Sequence, residues 1–139
     1  GCSQETTSEF VLQEIASKTK LTYVYDKEKD SVSKLTMEII YDITKDERYT
    51  EAVRSQRDEI VSEMEGIEGV TYTKKDDINY ITLTIEVDVN KFKFDDAASR
   101  KKAPTLYNTV NAALKRKDNM VSYQLSKDAI LEYEFKEVK

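Results

Sequence analysis

Ile78-Asn-Tyr-Ile-Thr-Leu-Thr-Ile-Glu-Val-Asp-Val89 is the stretch that decides the fold. Ile81, Leu83, Ile85, Val87 and Val89 alternate with Thr82, Thr84, Glu86 and Asp88, the period of an extended strand with one apolar face. A fully buried parallel strand would be apolar on both faces, so this one belongs to an antiparallel sheet with one wet side. Just upstream, Val70 and Tyr72 open a shorter strand that pairs with it across a turn at residues 74–77.

The same period recurs nearer the N-terminus. Phe10 and Leu12, then Leu21, Tyr23 and Tyr25, alternate with polar residues, and Asp26-Lys-Glu-Lys-Asp30 reads as a charged turn. Leu35, Met37, Ile39, Tyr41 and Ile43 follow on one face of a longer strand, opposite Lys34, Thr36, Glu38 and Asp42. Between the two hairpins the period changes to that of a helix. Thr44 and Glu47 have capping-box spacing, and Tyr49, Val53, Ile60 and Met64 recur on one stripe. Gly66 stands where a left-handed C-terminal residue is wanted, with Ile67 folding back on Val61. Ala103-Pro104 opens a second helix with Leu106, Val110, Ala113 and Leu114 on its buried stripe. Ser126 is expected to cap a last helix carrying Ala129, Ile130 and Tyr133, before an extended end at residues 134–138. The expectation is an α+β domain: an antiparallel sheet of two hairpins, a helix between them, and helices largely on one face.

Composition narrows the function classes. The chain has 139 residues, 39% hydrophobic and 35% charged, enough for one domain with a core. Its net charge of -5 argues against nucleic acid, which needs a basic patch. It has no histidine and three glycines, which removes the commonest general base and any phosphate-cradling glycine loop. Asp26, Glu28 and Asp30 have the opening spacing of a calcium loop, but Ser31 and Met37 occupy the positions where an EF-hand needs Gly and Glu. They read as a solvated turn. The other carboxylates track the polar faces of strands and helices. No enzyme, metal site or cofactor is expected from these residues.

The single cysteine, Cys2, follows Gly1 and precedes a polar run, Ser3 to Ser8. This resembles the processed end of a bacterial lipoprotein, in which a signal peptide has been removed and the cysteine carries palmitate-type acyl chains. One chain holds a protein to a membrane only marginally, so a multiply acylated cysteine is the stable form. The expected organisation is a lipid-anchor cysteine and flexible tether at residues 1–9, then one globular domain at 10–139. Gly1 is then either native or left by cloning.

Leu21-Thr-Tyr-Val-Tyr-Asp with Val32-Ser-Lys, then Gly66-Ile-Glu-Gly-Val70, then Leu125-Ser-Lys through Phe135-Lys-Glu-Val138, follow in an order similar to that of the YehR-like lipoproteins. The interval from Asp95 to Lys117 departs from that pattern. The resemblance implies a small lipoprotein of the bacterial cell envelope, extracytoplasmic and lipid-anchored, and brings no biochemical activity with it.

The tyrosines supply the remaining signal. Of the nine, Tyr23, Tyr25 and Tyr41 share the parity of core residues, whereas Tyr80 lies on the face of Thr82 and Thr84. Val24 and Ile40 are likewise out of phase with their strands. Val24, Ile40 and Tyr80 are therefore a candidate partner patch on the second face of the sheet, unless the N-terminal segment or a C-terminal helix covers it. The expected function is a non-catalytic binding or accessory module held at the membrane through Cys2, its partner an envelope protein, glycan or peptide. The alternative is a solute- or metal-scavenging lipoprotein with a small ligand pocket.

Overall fold

The computed structural model describes residues 4–139; Cys2 lies outside the described residues. Three antiparallel strands open the chain, β1 (Glu5–Gln13), β2 (Ser17–Asp26) and β3 (Ser31–Asp42), followed by a 3₁₀ turn (Glu47–Tyr49) and helix α1 (Thr50–Met64). The hairpin β4 (Val70–Asp76) and β5 (Tyr80–Asp88) comes next, then α2 (Ala97–Lys102) and α3 (Pro104–Ala113). Two short strands, β6 (Lys115–Lys117) and β7 (Met120–Ser122), lead into α4 (Tyr123–Glu132) and the final strand β8 (Lys136–Val138). The main sheet runs β4-β5-β3-β2-β1-β8, with β7 pairing β3 and β6 at one corner. The fold is α+β, as the alternation in the sequence implies.

Strands β2, β3 and β5 bury the parity expected of them over most of their length, while Val70 and Tyr72 of β4 and Ile39 and Tyr41 of β3 stay half-buried. Leu21 and Tyr23, Leu35 and Met37, and Leu83, Ile85 and Val87 meet Val61 and Met64 of α1, Leu106 and Val110 of α3, and Ile130 of α4 in one core. Each such aliphatic side chain contributes about 1.5–3 kcal/mol on burial, so this cluster dominates the energetics. The helices sit on that side. The other parity, including Lys20, Thr22, Thr36, Glu38, Thr82 and Thr84, stays half-buried and forms an open face.

Several details depart from the sequence expectations. Strand β1 begins at Glu5, so residues 5–9, expected in the tether, belong to the domain; they pair with β2 from Glu5↔Asp26 onward. No apolar stripe announces this segment, because backbone pairing rather than burial orders it. Thr44 and Glu47 do not form a capping box: the Thr44 hydroxyl donates to Asp42, while Asp46 accepts from the Arg48 amide and caps the 3₁₀ turn ahead of α1. Ser126 is not the cap of α4 either. Ser122 accepts from the Leu125 amide there, and Ser126 is buried inside the helix, donating to the Ser122 carbonyl and accepting from the Lys115 amide. Pro104 does open α3, and Gly66 does take a left-handed conformation (φ 79°) after α1.

Candidate functional site

The open face is laid out by strand register. Glu9, Thr22, Thr36, Glu86 and Thr71 stand side by side across five strands, and Val11, Lys20, Glu38, Thr84 and Thr73 form the next row. Lys20 pairs with Glu9 at 2.6 Å, and Lys34 pairs with Glu86. The hydrogen bond to Glu9 is the chief reason the Lys20 ammonium is held above its ordinary pKa.

The next two rows carry two of the three predicted patch residues. Ile40 faces Lys18 on one side and Thr82 on the other, and Tyr80 faces Asp42 one step along. They line a groove of about 450 Å³ at the end of the sheet where the β1–β2 and β4–β5 turns lie. Asp42 donates its amide to Ala16 at 2.8 Å and Ile43 donates to Asn79 at 2.9 Å, which ties the two turns to the end of β3. Ile15 and Ile78 stand at the turn tips, 94% and 87% exposed. Lys18, Lys45 and Lys75 rim the groove with Asp42, Asp77 and Glu38. Two of those acids are engaged locally: Asp77 accepts the Asn79 and Tyr80 amides, and the Thr44 hydroxyl holds the Asp42 carboxyl below the usual range.

Val24 does not join this group. It pairs with Lys34, six residues along β3 from Ile40, which is roughly 20 Å of strand. It lines a separate groove of about 760 Å³ at the opposite end, with Glu5, Lys34, Glu86 and Asp88. Parity placed all three residues on one face; register separates them. Among the described residues, neither the N-terminal segment nor a C-terminal helix covers the groove of Ile40 and Tyr80, since β1 lies within the sheet and α4 packs on the other side.

A third concavity lies on the helix side, and sequence reasoning missed it. Ile39 and Tyr41 share the core parity but remain half-buried, and with Ile81 they face Val53 and Ile60 of α1 across a cleft of about 230 Å³. Arg57, 7% exposed, borders it and forms ion pairs with Asp76 of β4 and with Asp58. The hydrogen bond from Arg57 is the main reason that Asp76 lies below the usual carboxylate range, with Arg54 adding to it. The signal available in the sequence was the spacing Val53, Gln56, Arg57, Ile60, which puts Gln56 and Arg57 between two apolar residues on one helical stripe.

Among the described residues, no group of three or more acids or cysteines is placed to hold a metal ion. The residues of the calcium-like spacing have structural work: Asp26 accepts the Glu28 and Lys29 amides within the turn, and Asp30 reaches α4.

The architecture itself has counterparts. The solution NMR structure of the Escherichia coli YehR protein matches 99% of this chain and 93% of its own length, with a TM-score of 0.74 at 19% identity. The chain has a YehR-like fold. An NMR structure of a protein from Streptococcus pneumoniae TIGR4 is similar at a TM-score of 0.61 and 12% identity, covering 99% of this chain and 87% of that one. No protein-family model and no curated protein sequence matches this chain. At these identities the likeness to YehR is one of fold, and the grooves described above are read from this chain alone.

Proposed function

We propose that this protein is a lipoprotein of the bacterial cell envelope, anchored by acyl chains on Cys2, whose YehR-like domain is a non-catalytic binding module for an envelope protein, glycan or peptide. The observation that carries the reading is the uncovered sheet face with its groove of Ile40 and Tyr80 at the turn end. Strand β1 runs from Glu5 toward that groove, a span of about 26 Å. Cys2 precedes Glu5 by three residues, a reach of roughly 10 Å. A membrane held at Cys2 and a partner held at the groove would thus meet opposite ends of the domain. Among the described residues no helix is long and apolar enough to cross a membrane. In this reading the acyl chains do the anchoring.

The test compares wild type with Cys2→Ala in native membranes by mass of the N-terminal peptide and by fractionation. An acylated Cys2, with the alanine variant released to the soluble fraction, supports the anchor; an unmodified cysteine in a soluble protein overturns it. Cross-linking then compares wild type with Tyr80→Ser. Equal capture by both would remove the groove from the reading.

A second reading, a solute-binding lipoprotein, is favoured by the apolar cleft beneath α1.

A further inference from the structure

Helix α1 does two different things along its length. Its C-terminal part drives Val61 and Met64 into the core. Its N-terminal part presents Val53, Gln56, Arg57 and Ile60, spaced i, i+3, i+4 and i+7, to the same side of the sheet across a cleft, with Ile60 also packed against the core. Ile81 is 3% exposed yet stands outside the main core cluster, and Ile39 and Tyr41 next to it are half-buried. The result is an apolar cleft at the margin of the core, which it meets at Ile60 and Leu83.

An ionic strut borders it. Arg57 reaches from α1 to Asp76 on β4, Arg54 meets the same carboxylate at 3.3 Å, and Lys74 on β4 meets Asp58 on α1 at 3.3 Å. These pairs tie the helix to the sheet edge through long side chains. Ile39 and Tyr41 stay half-buried across the cleft from the helix, while Ile81 beside them is covered.

We propose that this cleft is a binding site for a neutral, largely apolar small molecule of the size of one fused aromatic ring system. Three properties fix that class. The volume is about 230 Å³; scaled from an engineered cavity of about 150 Å³ that takes benzene, this admits roughly nine non-hydrogen atoms. A protein helix, about 10 Å across, does not fit between α1 and the strands. Charge is balanced at the rim, where Arg54, Arg57 and Lys74 are already matched by Glu51, Asp58 and Asp76, so an ionic ligand finds no unmatched partner there. The Tyr41 phenol and the Gln56 amide border the apolar walls and supply hydrogen bonding for one polar atom of the ligand. The inference gives the solute-binding reading its ligand class and rests on the cleft, not on the lipid anchor or the open face.

The experiment uses the full chain as Cys2→Ala, so that anchoring plays no part, with indole as the probe. Isoleucine methyl resonances are followed by NMR during titration. Saturable shifts of Ile39, Ile60 and Ile81 are expected. Val53→Phe, which fills the cleft, and Gln56→Phe, which closes its mouth from an exposed position, should each weaken binding about tenfold or more. Because Gln56 is exposed, the second variant keeps the test sound if the first fails to fold. Absence of shifts up to the solubility limit of indole overturns the proposal. So do shifts confined to Ile15, Ile40 and Ile78, or unchanged binding in a folded variant.

Discussion

Ser122 donates its hydroxyl to the carboxylate of Asp30, a residue 92 positions earlier in the chain. The same carboxylate accepts the Gln124 amide at 2.8 Å, and the Asp30 carbonyl accepts the Tyr123 amide at 3.1 Å. Ser122 in turn accepts the Leu125 amide at 3.1 Å. The β2–β3 turn thus caps the first turn of α4, where unpaired amides and the helix dipole favour a negative charge. The capping fixes Tyr123 against Tyr25, with ring centroids 3.5 Å apart and planes at 1°. Burial is the main reason the Tyr123 phenol is pushed up to about 12.

Asp30 also sits at φ 53°, in the left-handed region. Two substitutions separate its roles. Asp30→Gly keeps the backbone conformation and loses the cap, at a cost of about 1 kcal/mol. Asp30→Ala loses the cap and adds left-handed strain, for a total of about 2–3 kcal/mol. Urea unfolding should rank wild type above Asp30→Gly above Asp30→Ala. A glycine variant as stable as wild type would mean that the carboxylate contributes nothing.

Gly66 and Gly69 both have positive φ but differ in their surroundings. A Cβ at Gly69 would lie 2.6 Å from the Phe92 amide nitrogen, whereas at Gly66 the nearest atom is the Lys102 Nζ at 3.7 Å. Gly66→Ala should therefore cost only the conformational strain, about 1 kcal/mol. Gly69→Ala must also displace the backbone after β5, and should cost at least about twice that. Equal losses in thermal unfolding would show that the Phe92 segment yields freely.

What the sequence disclosed, and what it hid, follows from the range of the interactions involved. The alternation from Ile81 to Val89 assigned the faces of β5 correctly, because side-chain parity is local. Parity does not say what covers a face, and so Ile39 and Tyr41 read as core although α1 stands off from them. Nor does it say where along a strand two residues fall: Val24 and Ile40 share a face at opposite ends, and a bulge at Val24 shifts the pairing there. Nothing local marks Ser122 as a cap, because β6 and β7 have three residues each, too few to show a period. Asp30 read as a solvated turn residue because its partners lie some ninety positions away.

The strut at Asp76 has a pH signature. In the unfolded chain an Asp titrates near 3.9. In the folded protein the hydrogen bond from Arg57 holds Asp76 lower, so the folded state binds its proton less readily. The stabilisation is complete above the unfolded value and fades as pH falls through the folded one. Asp76→Asn should lower stability at pH 7 by about 1 kcal/mol, because Arg57 is left buried with a weaker acceptor. The gap to wild type should narrow once the pH is below the ordinary Asp range. A gap that stays constant from pH 7 down to pH 2 would show that the ion pair does not stabilise the fold.

Tyr23 and Tyr80 predict responses to substitution of different size. The Tyr23 hydroxyl donates to the Ala113 carbonyl at 2.7 Å in the fully buried core, where β2 meets the end of α3. Tyr23→Phe leaves that carbonyl without its donor and should cost about 1–2 kcal/mol while preserving the ring packing against Phe10 at 5.7 Å. Tyr80 is 42% exposed on the open face, and Tyr80→Ser should change stability by no more than about 0.5 kcal/mol. Thermal melts of the two variants decide the matter. If Tyr80→Ser destabilises as much as Tyr23→Phe, then Tyr80 holds the β4–β5 turn in place, and the groove it lines owes its aromatic wall to folding rather than to a partner.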